Sequence, residues 1–327
     1  MRPRQGFLGV LVLLVCSSTA APAVWIALPD SHRVLAVDTA SGEVLVEHSF
    51  DAAPTRLALT PNGMYLYVAC HDDGQTYVID PEGGALYKRL PYVVPVFAGA
   101  DSVHYYAPGL GGVYRNEVDG YNSKQLAYLP DTQFSYDYAL TPDGRWFTYI
   151  QRYLPRPGRE LAEPPTYRRI AVCDLDNESG TYLELPGEAL RAAVSPTGEY
   201  GVAATLEGGL VLFTLAAAPA VAAQIELPEP AVELSFGNDG VWLYCLLPGE
   251  LRVLGAPNIE DEPVVCAPPV DAAGETELVA GVLDPDSAIY YAADADGRLW
   301  LRRPDSFEFE LLSELGEAPA ELILQNN

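Results

Sequence analysis

The sequence predicts an all-β chain folded as a seven-bladed β-propeller, with its last strand completing its first blade. Three observations predict it. A turn motif returns at a spacing near that of a four-stranded unit. A Leu-Pro pair closes several of the units. The C-terminal segment repeats a pattern otherwise found at the start of a unit.

The turn motif is clearest at Leu59-Thr60-Pro61-Asn62-Gly63 and Leu140-Thr141-Pro142-Asp143-Gly144. It recurs at Val194-Ser195-Pro196-Thr197-Gly198 and Phe236-Gly237-Asn238-Asp239-Gly240, and more weakly at Ala98–Ser102 and Leu283–Ser287. Positions 63, 102, 144, 198, 240 and 287 are separated by 39, 42, 54, 42 and 47 residues. Pro presets one dihedral and Gly accepts a positive φ, so such a run between alternating apolar segments is a hairpin turn. Leu90-Pro91, Leu129-Pro130, Leu185-Pro186 and Leu227-Pro228 end alternating runs, where a residue without an N–H suits a strand end. Val37-Asp38 with Gly42, Ile79-Asp80 with Gly84, and Cys173-Asp174 with Gly180 mark the turn between third and fourth strands.

These landmarks divide the chain into four-stranded units at 54–91, 92–130, 131–186, 187–228, 229–269 and 270–315. Residues 24–50 supply only three strands. Ala318-Pro319-Ala320-Glu321-Leu322-Ile323-Leu324 matches Ala53–Leu59, and so does Glu229–Ser235, so the C-terminus is expected to donate the missing inner strand. Ends joined in this way leave few open edges. The alternatives are a six-bladed ring and an open sandwich. Residues 21–327 are then one propeller domain.

Composition agrees. Gly and Pro, 28 each in 327 residues, are abundant as many tight turns require, and hydrophobic residues make up 49%. Against 19 Lys and Arg stand 45 Asp and Glu, for a net charge of −26. Such a chain repels phosphates, which argues against nucleic acid and anionic lipid, and favours basic partners.

Residues 1–20 read as a secretory signal peptide. Arg2 and Arg4 precede an apolar run from Phe7 to Cys16, and Ser18 and Ala20 fit cleavage after Ala20, with cleavage after Ala23 as the competitor. Leu13-Leu14-Val15-Cys16 approaches a lipoprotein signal but has Val15 where a small residue belongs. No later apolar run is long enough to span a bilayer. The expected location is periplasmic or secreted.

The sequence contains no Cys-x-x-Cys-His, no G-x-S-x-G, no H-E-x-x-H and no P-loop. Asp174-x-Asp176-x-Glu178 and Asp294-x-Asp296-Gly297 alternate like calcium loops but lack the remaining ligands, and read as turns. His32, His48, His71 and His104 show no metal spacing. Cys70, Cys173, Cys245 and Cys266 read as packed free thiols. Cys245 and Cys266 fall on strands two apart, about 9.6 Å, beyond disulfide reach. No catalytic residue, metal or cofactor is assigned.

Two resemblances follow from these residues. Val24-Trp25-Ile26-Ala27, Val34–Asp38 and Leu59–Val68 resemble the YVTN class of bacterial propeller repeats, which implies the fold and no activity. Leu140–Gly144 followed by an insertion, Arg152 to Tyr167, ending in Pro164-Pro165-Thr166-Tyr167-Arg168-Arg169, is similar to one blade of the propeller subunits of periplasmic amine dehydrogenases, especially the quinohemoprotein type. That resemblance implies a subunit without cofactor, whose partners are a quinone-bearing subunit and a haem-bearing one.

In a four-stranded blade the loops between strands two and three share a face with the connections between blades. That face is expected to carry Asp30, His32, His71, Asp72, Asp73, Glu207 and Asp294, the entry into blade four with Phe134, Tyr136, Asp137 and Tyr138, and the insertion with Arg152, Tyr153, Arg156 and Arg159. Arg and Tyr are residues that interfaces favour, and loops on a rigid scaffold are where function usually sits. Three functions stand open: a non-catalytic interaction scaffold, perceived most readily as a subunit of a periplasmic redox complex; a small-molecule binder using the central channel; and a propeller-type lactone hydrolase.

Overall fold

A computed structural model describes residues 22–109, 111–118, 122–129, 137–151, 167–268 and 276–325. They form seven antiparallel sheets arranged as the blades of a propeller. Blade one joins β1 (Ala23–Leu28), β2 (Arg33–Asp38) and β3 (Val44–Ser49) to β27 (Glu321–Gln325), the last strand of the chain. Blade two is β4 (Arg56–Leu59), β5 (Leu66–Cys70), β6 (Gln75–Ile79) and β7 (Leu86–Pro91). Blade three is β8 (His104–Gly109), β9 (Gly112–Glu117) and β10 (Ser123–Tyr128); blade four is β11 (Asp137–Leu140), β12 (Trp146–Ile150), β13 (Arg169–Asp174) and β14 (Ser179–Glu184). Blade five is β15 (Ala189–Val194), β16 (Tyr200–Thr205), β17 (Gly209–Thr214) and β18 (Val221–Glu226). Blade six is β19 (Glu233–Phe236), β20 (Trp242–Leu246), β21 (Leu251–Gly255) and β22 (Val264–Cys266). Blade seven is β23 (Leu278–Leu283), β24 (Tyr290–Asp294), β25 (Arg298–Arg302) and β26 (Glu310–Glu314).

The expected closure is present: Ala27 pairs with Glu321, Ile26 with Leu322, Trp25 with Ile323 and Val24 with Leu324. Blade three departs from the expected four strands. Its inner segment meets β8 only at an isolated bridge between Val96 and Tyr106. The neighbouring Pro95 has no N–H to extend the ladder.

Strand sequence follows position in the blade. A second strand lies between two neighbouring blades, so both its faces must be apolar. In β1, Ala23, Trp25 and Ala27 pack toward blade two, while Val24, Ile26 and Leu28 pack toward blade seven. Fourth strands rim the ring, and β3, β7 and β18 alternate between exposed and half-buried positions. Each pair of adjacent blades encloses its own buried cluster, including the pair formed by blades seven and one. Each fully buried Val, Leu, Ile or Phe side chain in these clusters contributes about 1.5–3 kcal/mol. All four described cysteines are buried free thiols, Cys245 and Cys266 among them.

Antiparallel meanders sort the connections onto two faces. Turns between strands one and two, and between three and four, lie on one face. Loops between strands two and three share the other with the links between blades. Inner strands begin on this second face, which is therefore where the central channel opens beside the candidate loops.

Candidate functional site at the channel mouth

Counting back three residues from the first residue of each hairpin landmark gives Arg56, Pro95, Asp137, Arg191, Glu233, Ala280 and Glu321. The ladders put these residues at one register: Arg56 opposite Ala69, Asp137 opposite Ile150, Arg191 opposite Ala204, Glu233 opposite Leu246, Ala280 opposite Ala293 and Glu321 opposite Ala27. Five of the seven positions are charged. All five charged residues line one cavity of about 280 Å³, together with Thr55, His71, Tyr92 and the apolar Val279–Gly281 edge of β23.

Most of these charges are already engaged. Arg56 Nε donates to Glu321 Oε1 at 2.5 Å, and its Nη2 lies 3.5 Å from Asp137 Oδ1. The backbone N–H of Leu57 donates to Glu321 Oε2. Asp137 Oδ2 accepts the N–H of Ala192 at 2.9 Å. Arg191 donates from Nε to the Val232 carbonyl at 2.5 Å and from Nη1 to the Leu190 carbonyl at 3.2 Å. Among the described residues Glu233 accepts no hydrogen bond, and its nearest cation, Arg191 Nε, is 3.8 Å away. Its side chain is 37% exposed to the channel, against 10% for Asp137 and 17% for Glu321.

Electrostatics separate the members further. Burial works against the Arg56 charge, but Glu321 and Asp137 outweigh it and hold its pKa above the ordinary value. Burial raises the Glu321 carboxyl, opposed by Arg56 and the Leu57 N–H. Glu233 is pushed up to about 7 by burial, with Asp137 and Glu321 adding to the rise and Arg191 and Arg56 only partly offsetting it.

The residues expected from sequence divide into three groups. His71 reaches the mouth, with its ring edge-on to Tyr92 at 5.4 Å between centroids. Asp30, His32 and Asp72 are exposed on the rim, and His32 adopts a φ of 56° in the loop joining β1 to β2. Asp73 is engaged locally: its carboxylate accepts Gln75 N–H at 2.9 Å and the Tyr77 hydroxyl at 2.7 Å. Tyr138 turns into the junction of blades three and four. There its hydroxyl donates to the Val94 carbonyl and accepts the Val94 N–H, and its ring stacks on Phe147. Tyr136, Arg152, Tyr153, Arg156 and Arg159 lie outside the described residues, as do residues 1–20. The connections containing the first five begin and end on the mouth face, at Leu129 and Asp137 and at Gln151 and Tyr167.

Of the charged register only Asp137 is expected on this face from sequence; matching the units on their prolines hides the rest. Matching Pro230 to Pro54 sets Val232 against Arg56, whereas the ladder sets Glu233 there. The link into β19 is one residue longer. Counting from the hairpin turn would have found the register.

The calcium-like segments are turns. Asp294 accepts Trp300 Nε1 at 2.9 Å, Arg298 Nε at 2.7 Å and two backbone N–H groups. Asp174 accepts from Asn177 and Arg145. Among the described residues no group of three His, Cys, Asp or Glu side chains is placed to hold a metal ion. No described helix is long and apolar enough to cross a membrane.

No protein-family model matches the chain, and no curated protein matches it. Among solved structures it is similar to the crystal structure of a functionally unknown protein from Desulfotomaculum acetoxidans DSM 771. The TM-score is 0.69 at 9% identity, over 93% of this chain and 99% of that one. At that identity the likeness shows the fold alone. Because 1686 solved chains share it, fold does not select a function.

Proposed function

We propose that this chain is an exported, non-catalytic β-propeller of YVTN type that serves as an interaction scaffold and receives a basic partner protein on the channel-mouth face. The observation that carries this reading is the convergence of that face: exposed Asp30 and Asp72 rim the mouth of a channel whose wall carries charges from five blades. A propeller closes by apolar packing between blades and does not need a charged register at its axis. With a net charge of −26, the chain attracts a basic surface and steers its approach, an effect that weakens with salt.

A narrower reading makes the partners the quinone- and haem-bearing subunits of an amine-dehydrogenase-type periplasmic complex. It is favoured by the position of the long connection between β12 and β13 in blade four, where that resemblance rests.

Exported protein carrying Asp30→Asn and Asp72→Asn tests the reading. Wild-type protein recovered from the periplasm should begin at Ala21 and cross-link to a basic partner at low salt. The double variant should melt like wild type and cross-link less. Equal cross-linking would move the partner surface elsewhere, and a start at an acylated Cys16 would replace export as a soluble protein with membrane anchoring.

A further inference from the structure

Around the channel mouth the charges answer one another. Arg56 pairs with Glu321 at 2.5 Å and reaches Asp137 at 3.5 Å, and Arg191 lies 3.8 Å from Glu233. Two guanidinium groups against three carboxylates leave at most one negative charge. The Glu233 carboxyl, raised to about 7, brings the register close to balance around neutral pH. A ligand with a net charge of its own would compete with these pairs, and a neutral one would not.

The paired register still has hydrogen-bonding capacity. A carboxylate offers about four lone-pair sites. Asp137 meets Arg56 and the Ala192 N–H, Glu321 meets Arg56 and the Leu57 N–H, and Glu233 accepts no hydrogen bond among the described residues. Thr55, also in the wall, gives its hydroxyl proton to the Ala69 carbonyl at 3.1 Å and so can only accept from the cavity. The mouth is therefore rich in acceptors and calls for a ligand rich in donors. Its other wall is apolar, along Val279–Gly281. Against Gly281 ends the fully buried Tyr290 hydroxyl, which has no hydrogen-bond partner; a Cβ on Gly281 would stand 2.7 Å from it. A buried hydroxyl without a partner costs free energy that a polar guest recovers.

We propose that the channel mouth binds one neutral sugar of monosaccharide size, its hydroxyls donating to Glu233, Asp137 and Glu321 and one C–H face lying along Val279–Gly281. This goes beyond the scaffold reading and does not depend on it. A pyranose divides its surface as the cavity does, with hydroxyls around the edge and C–H groups on the faces. Guanidinium and carboxylate groups fixed against one another are planar and cannot turn away, so they hold donors and acceptors in place without adding charge. The volume of about 280 Å³ lies at the small end for ligand sites and suits a single ring.

The test is calorimetric titration of the full exported chain with D-glucose, D-galactose, D-mannose and D-xylose, with cyclohexanol, D-glucosamine and D-glucuronate as controls. At least one of the neutral sugars should bind saturably at one site, and more tightly than either charged sugar. Cyclohexanol, which has the apolar face and a single hydroxyl, should not saturate. Binding should change little between about 20 mM and 500 mM salt, whereas recovery of a basic partner falls with salt. Glu233→Ala should weaken binding about tenfold, and Glu233→Gln, which keeps a planar hydrogen-bonding group without the charge, should restore most of it. Val279→Phe, which narrows the cavity without touching a charge, should weaken binding while the protein still melts cooperatively. No saturable binding of any neutral sugar, tighter binding of glucosamine or glucuronate, or a folded Glu233→Gln that loses as much as folded Glu233→Ala would each overturn the proposal. If Glu233→Ala does not fold, undiminished binding by folded Val279→Phe does so.

Discussion

The hairpin turns and the channel wall use acidic side chains in opposite ways. In the hairpin turns several carboxylates and amides are answered within a few residues of their own backbone. Asn62 Oδ1 accepts Met64 N–H at 3.1 Å, Asp143 Oδ1 accepts Arg145 N–H at 3.0 Å, and Asp239 Oδ1 accepts Val241 N–H at 2.9 Å. Asp38 accepts the N–H groups of Ser41 and Ala40, and the Ser41 bond first of all holds its pKa below the usual carboxylate value. At the channel mouth, Glu233 accepts no hydrogen bond among the described residues, and its pKa moves up to about 7. An acid satisfied by its own turn is part of the fold. One left open in a recessed cavity is available to something else.

The largest test of this contrast removes a strand that serves both closure and the mouth. Deleting residues 317–327 takes away β27. Leu322 and Leu324 leave the junction of blades seven and one, Ile323 leaves that of blades one and two, and Arg56 loses Glu321. Unfolding in urea should show a loss on the order of 5 kcal/mol, or no folded protein. A truncated chain as stable as the full one would show that the ring does not need this strand.

A smaller effect is expected from a single turn. Gly42 has a φ of +73°, and a Cβ there would stand 2.1 Å from the carbonyl oxygen of Leu312 in the adjacent blade. Gly42→Ala should cost about 2 kcal/mol by chemical denaturation, with no change in ligand or partner binding. A neutral result would mean that the turn face is looser than its packing implies. The smallest stability effect belongs to the rim. Asp30→Asn and Asp72→Asn should stay within about 0.5 kcal/mol of wild type, since both side chains are exposed, and should act on partner recovery alone.

Legibility in the sequence divides along the same line. The turn face could be read because Pro, Asn, Asp and Gly are chosen by backbone geometry, which leaves a local signature at 63, 144, 198 and 240. Closure could be read because Ala318–Leu324 repeats that local pattern. In blade three the landmark at Ala98–Ser102 is weak and Pro95 interrupts the inner segment, which pairs with β8 through a single bridge. The channel register carries no local signature. Arg56, Asp137, Arg191, Glu233 and Glu321 are far apart in the chain and become neighbours only when the ring closes. His71 was found from its loop, whereas Tyr138, one residue from Asp137, faces the opposite side of the strand, as side-chain alternation requires.

The most direct measurement is the thermal stability of wild type and Glu233→Gln from about pH 5 to pH 8. A carboxyl raised in the folded state binds its proton more tightly there than in the unfolded chain. The protonated form therefore favours folding below the unfolded value near 4.5, and that contribution is lost as the pH rises through about 7. Carboxylates that do not face Glu233 titrate alike in both proteins, so the difference between the two curves reports Glu233 together with its neighbours Asp137 and Glu321. The account predicts nearly equal melting temperatures at the acid end, with wild type falling progressively below the variant and the gap complete above about pH 7. Parallel curves, or a wild type that gains on the variant as pH rises, would mean that the ionised form of Glu233 is satisfied in the folded protein.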